Sequence, residues 1–101
     1  MIVFTDRVVV PAHVMVRFLD NESVFLNLET ERYFGLDPTG TRMWQLLTSA
    51  ANIEGAYQAL LDEFEVEPEA LRFDLVELLN KLVDNDLLQV VRSDVGTPSA
   101  I

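Results

Sequence analysis

The sequence predicts an α+β fold in which a three-stranded antiparallel sheet is followed by three helices. Apolar residues alternate with a period of two between residues 13 and 36, and they recur at helical spacing between residues 43 and 82. Capping residues and prolines stand where the helical pattern begins. Strands that come first and helices that follow favour helices packed on one face or end of the sheet. A winged helix-turn-helix has the same content of elements.

Alternation of side chains defines the three strands. In the first strand Val14, Val16 and Phe18 share one face, and β-branched and aromatic residues favour this conformation. A polar turn leads into the second strand, and another polar turn leads into the third. Residues 1–12, which a proline interrupts, allow one further extended segment. The predicted strands are residues 13–19, residues 24–29 and Arg32 to Leu36.

Each predicted helix has a recognisable start. Asp37 suits the N-cap position, and Pro38 suits the first helical position after it. Asn52 can cap a second helix, and Pro68 opens a third. The predicted helices run from Pro38 to about Ala51, from Ile53 to about Phe64 and from Pro68 to about Asp86.

The organisation of the chain is that of one domain. No linker, internal repeat or low-complexity block divides it. Residues 1–92 are therefore predicted to form a single domain. Residues 93–101 contain Gly, Thr, Pro and Ser and are predicted to be a flexible C-terminal tail.

The composition limits the classes of function. The 101 residues include 17 Asp and Glu against seven Lys and Arg, and the resulting net charge of −10 repels nucleic-acid phosphates. There is no cysteine, which excludes disulfides and thiolate chemistry. No run of residues reaches the length of a signal or membrane-spanning segment. We therefore expect a cytoplasmic protein with neither a nucleic acid nor a membrane as partner.

No combination of residues indicates catalysis. The single histidine, His13, has no cysteine to act with, and a lone histidine is far more often structural than catalytic. Gly35 and Gly40 do not form a phosphate-binding loop. The acidic residues between 63 and 69 do not have the spacing of a calcium loop. The sequence therefore predicts no enzyme activity, no catalytic residue, no metal site and no cofactor.

The third helix carries more apolar residues than one buried face requires. At about 100° per residue, five leucines form a core stripe, whereas Asp74, Glu77 and Lys81 form a solvated charged face. An apolar shoulder remains beyond the stripe. It either packs beneath the first strands or residues 87–91, or it forms a half-exposed groove wall that faces the third strand. The stripe consists of Leu71, Leu75, Leu78, Leu79 and Leu82, and the shoulder of Phe73, Val76, Asn80 and Val83.

Several motifs that span about residues 13–90 carry a family resemblance. They include Val24-Phe25-Leu26-Asn27-Leu28, Tyr33-Phe34-Gly35-Leu36, Thr39-Gly40, Met43-Trp44-Gln45-Leu46-Leu47, Phe73-Asp74-Leu75 and Asp86-Leu87-Leu88. In this order they resemble PqqD-like proteins, which are recognition elements for ribosomally synthesised and post-translationally modified peptides. The chain resembles the stand-alone leader-binding proteins of lasso-peptide biosynthesis more than the quinone-pathway protein. The latter typically carries a Pro-Glu-Arg segment where this chain has Glu31-Arg32-Tyr33-Phe34.

The resemblance implies a winged-helix-like fold that binds the leader segment of a precursor peptide. The leader would add as an antiparallel strand to the third strand and lie in a groove against the third helix. Its partners would be the precursor peptide and a leader peptidase or other modifying enzyme, and the protein itself would be a monomer. The implied peptide-binding residues are Arg32, Tyr33, Phe34, Gly35, Leu36, Arg72, Phe73, Val76, Leu79, Asn80 and Val83.

Two other functions remain open at this point. A self-associating structural protein would use the same strand edge for pairing with its own copies. A winged-helix nucleic-acid binder is compatible with the fold class, although the acidic charge opposes it. For a leader-binding protein, the same acidic charge favours a basic leader.

Overall fold

Three helices follow a three-stranded antiparallel sheet in the computed structural model, which confirms the predicted α+β class. The structure describes residues 2–92, so the predicted tail, residues 93–101, lies outside the described residues. The elements in chain order are β1 (Arg7–Val9), β2 (Val14–Leu19), β3 (Glu22–Asn27), β4 (Arg32–Leu36), α1 (Pro38–Ser49), α2 (Ile53–Glu63), α3 (Pro68–Asp84) and β5 (Gln89–Val91).

The main sheet has the strand order β2-β3-β4, and its neighbouring strands are antiparallel. Phe25 at the middle of β3 lies opposite Val16 of β2 and Phe34 of β4. Because side chains alternate along each strand, these three residues share the face that packs on the core. Within residues 2–92 no strand pairs with the second edge of β4, so β4 is an edge strand.

β1 and β5 form a second sheet, and the sequence does not predict this pairing. The extended segment expected within residues 1–12 corresponds to β1, but alternation cannot identify strands of only three residues. The chain before β1 also holds the start of α2. Ile53 donates its backbone N–H to the carbonyl of Asp6 at 2.8 Å. Glu54 donates in the same way to Phe4 at 2.7 Å.

The predicted helix starts are confirmed. The carboxylate of Asp37 accepts the backbone N–H of Gly40 at 2.8 Å, which caps α1. The side-chain oxygen of Asn52 accepts a backbone N–H at 2.8 Å in the same way and caps α2. α3 begins at Pro68 without a side-chain cap. Within residues 2–92, none of the helices has the length and apolar composition that crossing a membrane requires.

α3 ends at Asp84, two residues before the predicted end. Asp86 adopts the left-handed backbone conformation, with φ of 59°, which a continuing helix does not allow. The N–H of Leu87 then donates to the carbonyl of Leu82 at 2.8 Å and satisfies one of the free carbonyls at the helix end. The reversal turns Leu87 and Leu88 into the core, where each is 1% exposed.

The leucines of α3 lie at the centre of the core, as the helical spacing predicts. Leu75, Leu79 and Leu82 are fully buried. Trp44 of α1 packs edge-on against Phe25 of β3, with ring centroids 5.2 Å apart. The sheet, α1 and α3 therefore share one apolar core.

A buried asparagine organises the turn between β3 and β4. Asn27 is 2% exposed, and its Oδ1 accepts the backbone N–H groups of Glu29 at 2.9 Å and Thr30 at 3.2 Å. Its Nδ2 donates to the main-chain carbonyl of Asn85, 3.3 Å away. One side chain thus connects the turn that leads into β4 with the C-terminal end of α3.

Replacing Asn27 with Ala should lower the free energy of unfolding by about 1–3 kcal/mol, because the three backbone groups that its buried side chain binds lose their partner. Urea denaturation followed by the fluorescence of Trp44 measures this change. The control is Asn21→Ala in the exposed turn between β2 and β3, which should change the stability by less than about 0.5 kcal/mol. Equal effects of the two substitutions would contradict the role of Asn27.

Candidate functional site

A cavity of about 440 Å³ lies between β4 and α3. The second half of β4 forms one side, the first turns of α1 close one end, and α3 forms the opposite wall. Its lining residues are Phe34, Gly35, Leu36, Asp37, Thr39, Gly40, Met43, Asp74, Glu77, Leu78 and Lys81.

A second cavity, of about 220 Å³, continues along the first half of β4. Phe34 borders both cavities, and the two together line the whole of β4; we call them the β4–α3 groove. The residues that line the second cavity are Asn27, Thr30, Arg32, Tyr33, Phe34, Asp84, Asn85, Asp86 and Leu87.

The two cavities show how the strand and the helix are oriented. Leu36, at the end of β4, shares the first cavity with Asp74, in the first half of α3. Arg32, at the start of β4, shares the second cavity with Asp84, at the end of α3. β4 and α3 therefore run in opposite directions along the two sides of the groove.

The floor of the groove is apolar. Phe34 and Leu36 are half-buried and pack against the core, and Met43 of α1 and Leu78 of α3 are 5% and 9% exposed. Beside this floor runs the unpaired edge of β4, whose five residues extend about 16 Å. An unpaired edge beside an apolar floor can accept an extended chain, which bonds through its backbone and buries every second side chain.

The helical wall of the groove carries the charged face of α3. Asp74, Glu77 and Lys81 are exposed, as expected for a solvated face, yet this face borders β4. The four residues of the apolar shoulder, which the sequence places either in packing or on a groove wall, line neither cavity. Periodicity identifies the buried stripe of α3, but it does not tell which border of the stripe lies next to β4.

The five predicted strand residues, Arg32 to Leu36, all line the groove. The predicted helical residues lie elsewhere. Leu79 has no exposed surface, and the guanidinium of Arg72 lies 4.0 Å from the ring centroid of Phe4. Of the shoulder, Val76 is half-buried against the core, and the exposed members are Phe73, Asn80 and Val83. A role of these residues in peptide binding stays a prediction.

Several groove residues are missing from the sequence-based set. Met43 and Leu78 were assignable only to the core, and Thr39 and Gly40 belong to the first turn of α1. The sequence carries a local signal for that turn: Asp37, the N-cap of α1, directly follows Leu36, the last residue of β4. A Cβ atom on Gly40 would lie 3.2 Å from Leu36 Cδ2, so a small residue suits this junction.

Three side chains of metal-binding type meet near the second cavity. His13 Nε2 lies 3.0 Å from the main-chain oxygen of Asp86 and 2.9 Å from its carboxylate. The carboxylate of Glu29 is 3.8 Å from His13 Nδ1. The ring thus already has protein partners, and it connects the start of β2 with the turn that follows α3.

A separate ion pair connects α1 with the end of α2. Arg42 donates to Glu63 through Nε at 2.8 Å and through a second guanidinium nitrogen at 2.9 Å. These hydrogen bonds lower the pKa of the Glu63 carboxyl and raise the pKa of Arg42. Neither residue lines the β4–α3 groove.

The face of the main sheet that points away from the helices is also apolar. It carries a depression of about 390 Å³. Tyr33 projects from this face with 73% of its surface exposed, and Met15 and Leu19 are about half exposed. The lining residues are Met15, Val16, Arg17, Leu19, Val24, Leu26 and Tyr33.

The chain is similar to known proteins over most of its length. The family model of the coenzyme PQQ synthesis protein D (PqqD) matches residues 22–88. A solved structure of TbiB1 in complex with the TbiA(beta) leader peptide is 34% identical, with a TM-score of 0.74 over 79% of this chain and 93% of that one. The lasso peptide synthetase B1 complexed with the leader peptide shares the fold at 23% identity, with a TM-score of 0.74 over 82% and 98% of the two chains. No curated protein matches the chain.

Proposed function

The chain belongs to the PqqD family, and from this premise we propose that it binds the leader segment of a ribosomally synthesised precursor peptide in the β4–α3 groove. The leader adds to β4 as an antiparallel strand. The observation that carries the proposal is the open edge of β4 beside an apolar floor. The TbiB1 structure, with its leader peptide, supports the chemical class of the ligand.

Strand addition divides affinity and specificity between two kinds of contact. Backbone hydrogen bonds to the β4 edge do not depend on the leader sequence, and each contributes about 0.5–1.5 kcal/mol. Side chains that enter the groove bury apolar surface on Phe34, Leu36 and Leu78, which selects the leader and its register. After the leader loses its conformational freedom, affinities between about micromolar and nanomolar are expected.

The protein acts by recognition, and we assign the chemical steps to its partners. The groove offers a strand edge, an apolar floor and fixed charges, which hold a peptide in one register. In this scheme the bound precursor is delivered to a leader peptidase or another modifying enzyme. The leader is held while the segment to be modified remains free.

The test uses peptides chosen by the protein itself. A display library of random 20-residue peptides is selected on the immobilised full chain, and the best binders are titrated into isotope-labelled protein followed by NMR. We expect saturable binding, amide shift changes concentrated in Arg32–Leu36, and slower hydrogen exchange along that edge. Absence of any binder tighter than roughly 100 µM would refute the proposal.

The same titration decides between the groove and the apolar shoulder. Shift changes centred on Asp74 to Lys81 place the peptide beside the charged wall. Changes centred instead on Phe73 and Val83 would move it to the shoulder and contradict the groove. Self-association through the β4 edge is the alternative function, and light scattering over a concentration series should show a constant monomer mass if β4 is reserved for a leader.

A further inference from the structure

The charges that α3 contributes to the first cavity follow a definite order. Asp74 and Glu77 border the first part of the groove, and Lys81 follows one helical turn after Glu77. Within residues 2–92 none of these three side chains has an ion-pair partner within 4.0 Å. Three exposed charges that lack partners on a groove wall are free to pair with a ligand.

The orientation of the elements determines which part of a bound strand meets each charge. A strand antiparallel to β4 runs parallel to α3, because α3 and β4 run in opposite directions. Its N-terminal part therefore lies beside Leu36, Asp74 and Glu77. Its C-terminal part passes Lys81 and then Asp84, and it leaves the groove beside Arg32.

The spacing of the wall matches the spacing of a strand. Glu77 and Lys81 are four residues apart, which is about 6 Å along a helix. Successive side chains on one face of a strand are about 6.6 Å apart. Two neighbouring groove-facing side chains of a leader, at positions i and i+2, therefore stand opposite Glu77 and Lys81 respectively.

We propose, on the premise of the leader-binding function, that the groove reads charge order as well as apolar residues. The docked strand carries Lys or Arg at the groove-facing position opposite Glu77 and Asp74. Two residues later, opposite Lys81, it carries an acidic or neutral side chain. The substrate class is thus a leader with a basic-to-acidic order in the direction of its chain, above an apolar contact with Phe34 and Leu78.

The order of charges should matter more than their sum. An exposed ion pair changes affinity by about twofold, and a like-charge contact costs a similar factor. Reversing the order of one basic and one acidic residue replaces two attractive contacts by two repulsive ones. The expected difference between the two orders is about tenfold at low salt, and it shrinks as salt screens the exposed charges.

The experiment uses two peptides of identical composition. A binder obtained by display on the full chain is synthesised with Lys-x-Glu and with Glu-x-Lys at the two groove-facing positions, and affinities are measured by fluorescence anisotropy. The second protein is the double variant Glu77→Lys/Lys81→Glu, which keeps the net charge of the chain. Circular dichroism verifies that this exchange of two exposed side chains leaves the fold intact.

The wild type should prefer Lys-x-Glu by about tenfold in 50 mM salt and by much less in 0.5 M salt, and the double variant should prefer Glu-x-Lys. Saturable binding of both peptides with equal affinity, or a preference that survives the exchange, would overturn charge-order reading and leave leader binding intact. If neither peptide binds in the groove, the proposed function itself fails.

Discussion

Replacing Phe34 with Asp should abolish leader binding, with an increase in Kd of at least about 100-fold. Phe34 lies on the floor of both cavities of the β4–α3 groove. Removing its ring forfeits about 1.5–3 kcal/mol of apolar burial, and an aspartate there places a charge against the apolar side chains of the leader. Fluorescence anisotropy with a displayed-library binder measures the loss.

Two further variants separate binding from folding. Phe34 is half-buried and touches the core, so Phe34→Asp also lowers stability, and its fold must be verified by circular dichroism. Phe34→Leu keeps an apolar floor and should weaken binding by no more than about tenfold. Phe73→Asp changes an exposed side chain of α3 outside the groove and should leave Kd unchanged.

The outcomes discriminate between the two borders of α3. Loss of binding in Phe34→Asp with unchanged binding in Phe73→Asp supports the charged wall. An equal loss in Phe73→Asp would show that the apolar shoulder contacts the leader, which is one of the two interpretations that the sequence leaves open. Unchanged binding in a folded Phe34→Asp protein would remove the leader from the groove altogether.

The parts of the fold that the sequence predicts correctly depend on local signals. Val14, Val16 and Phe18 alternate along β2, and Asp37 caps α1 within three residues of its own position. The leucine stripe of α3 likewise follows from its own spacing. Each of these signals can be read within one element, without knowledge of its neighbours.

The parts that the sequence does not predict depend on contacts between distant residues. β1 and β5 are separated by most of the chain, and neither has enough residues to show a period. The role of Asn27 is also hidden from the sequence. Its hydrogen bond to Asn85 joins residues 58 positions apart, and neither segment carries a pattern that indicates it. The composition of the groove wall also depends on contacts between distant residues, because tertiary packing decides which border of α3 lies beside β4.

The position of the apolar shoulder of α3 also depends on tertiary contacts. Val76 is half-buried against the core, which agrees with the interpretation that the shoulder contributes to packing. Arg72, on the same side of the helix, covers the ring of Phe4 with its guanidinium. This border of α3 therefore contacts the N-terminal segment through Arg72, and the charged border lines the groove.

Leu79 provides the second large effect, and it concerns stability. The helical spacing places this residue in the core stripe, whereas the family resemblance implies a role in peptide binding; in the structure it is fully buried in the core. Leu79→Ala should therefore lower the free energy of unfolding by about 2–5 kcal/mol, because the truncation leaves a cavity that the core fills only in part. Urea denaturation followed by Trp44 fluorescence measures the change, since this buried residue is the single tryptophan of the chain.

A measurement of peptide affinity distinguishes a role of Leu79 in stability from a role in peptide binding. In the absence of urea, the folded Leu79→Ala protein should bind a displayed-library peptide with a Kd within about threefold of the wild type, because the side chain does not line the groove. The neighbouring exposed residue is the matched control: Asn80→Ala should change the stability by less than about 0.5 kcal/mol. A Leu79→Ala protein of unchanged stability but weakened binding would reverse the assignment and return Leu79 to the peptide site, since a side chain in the core cannot be removed without cost.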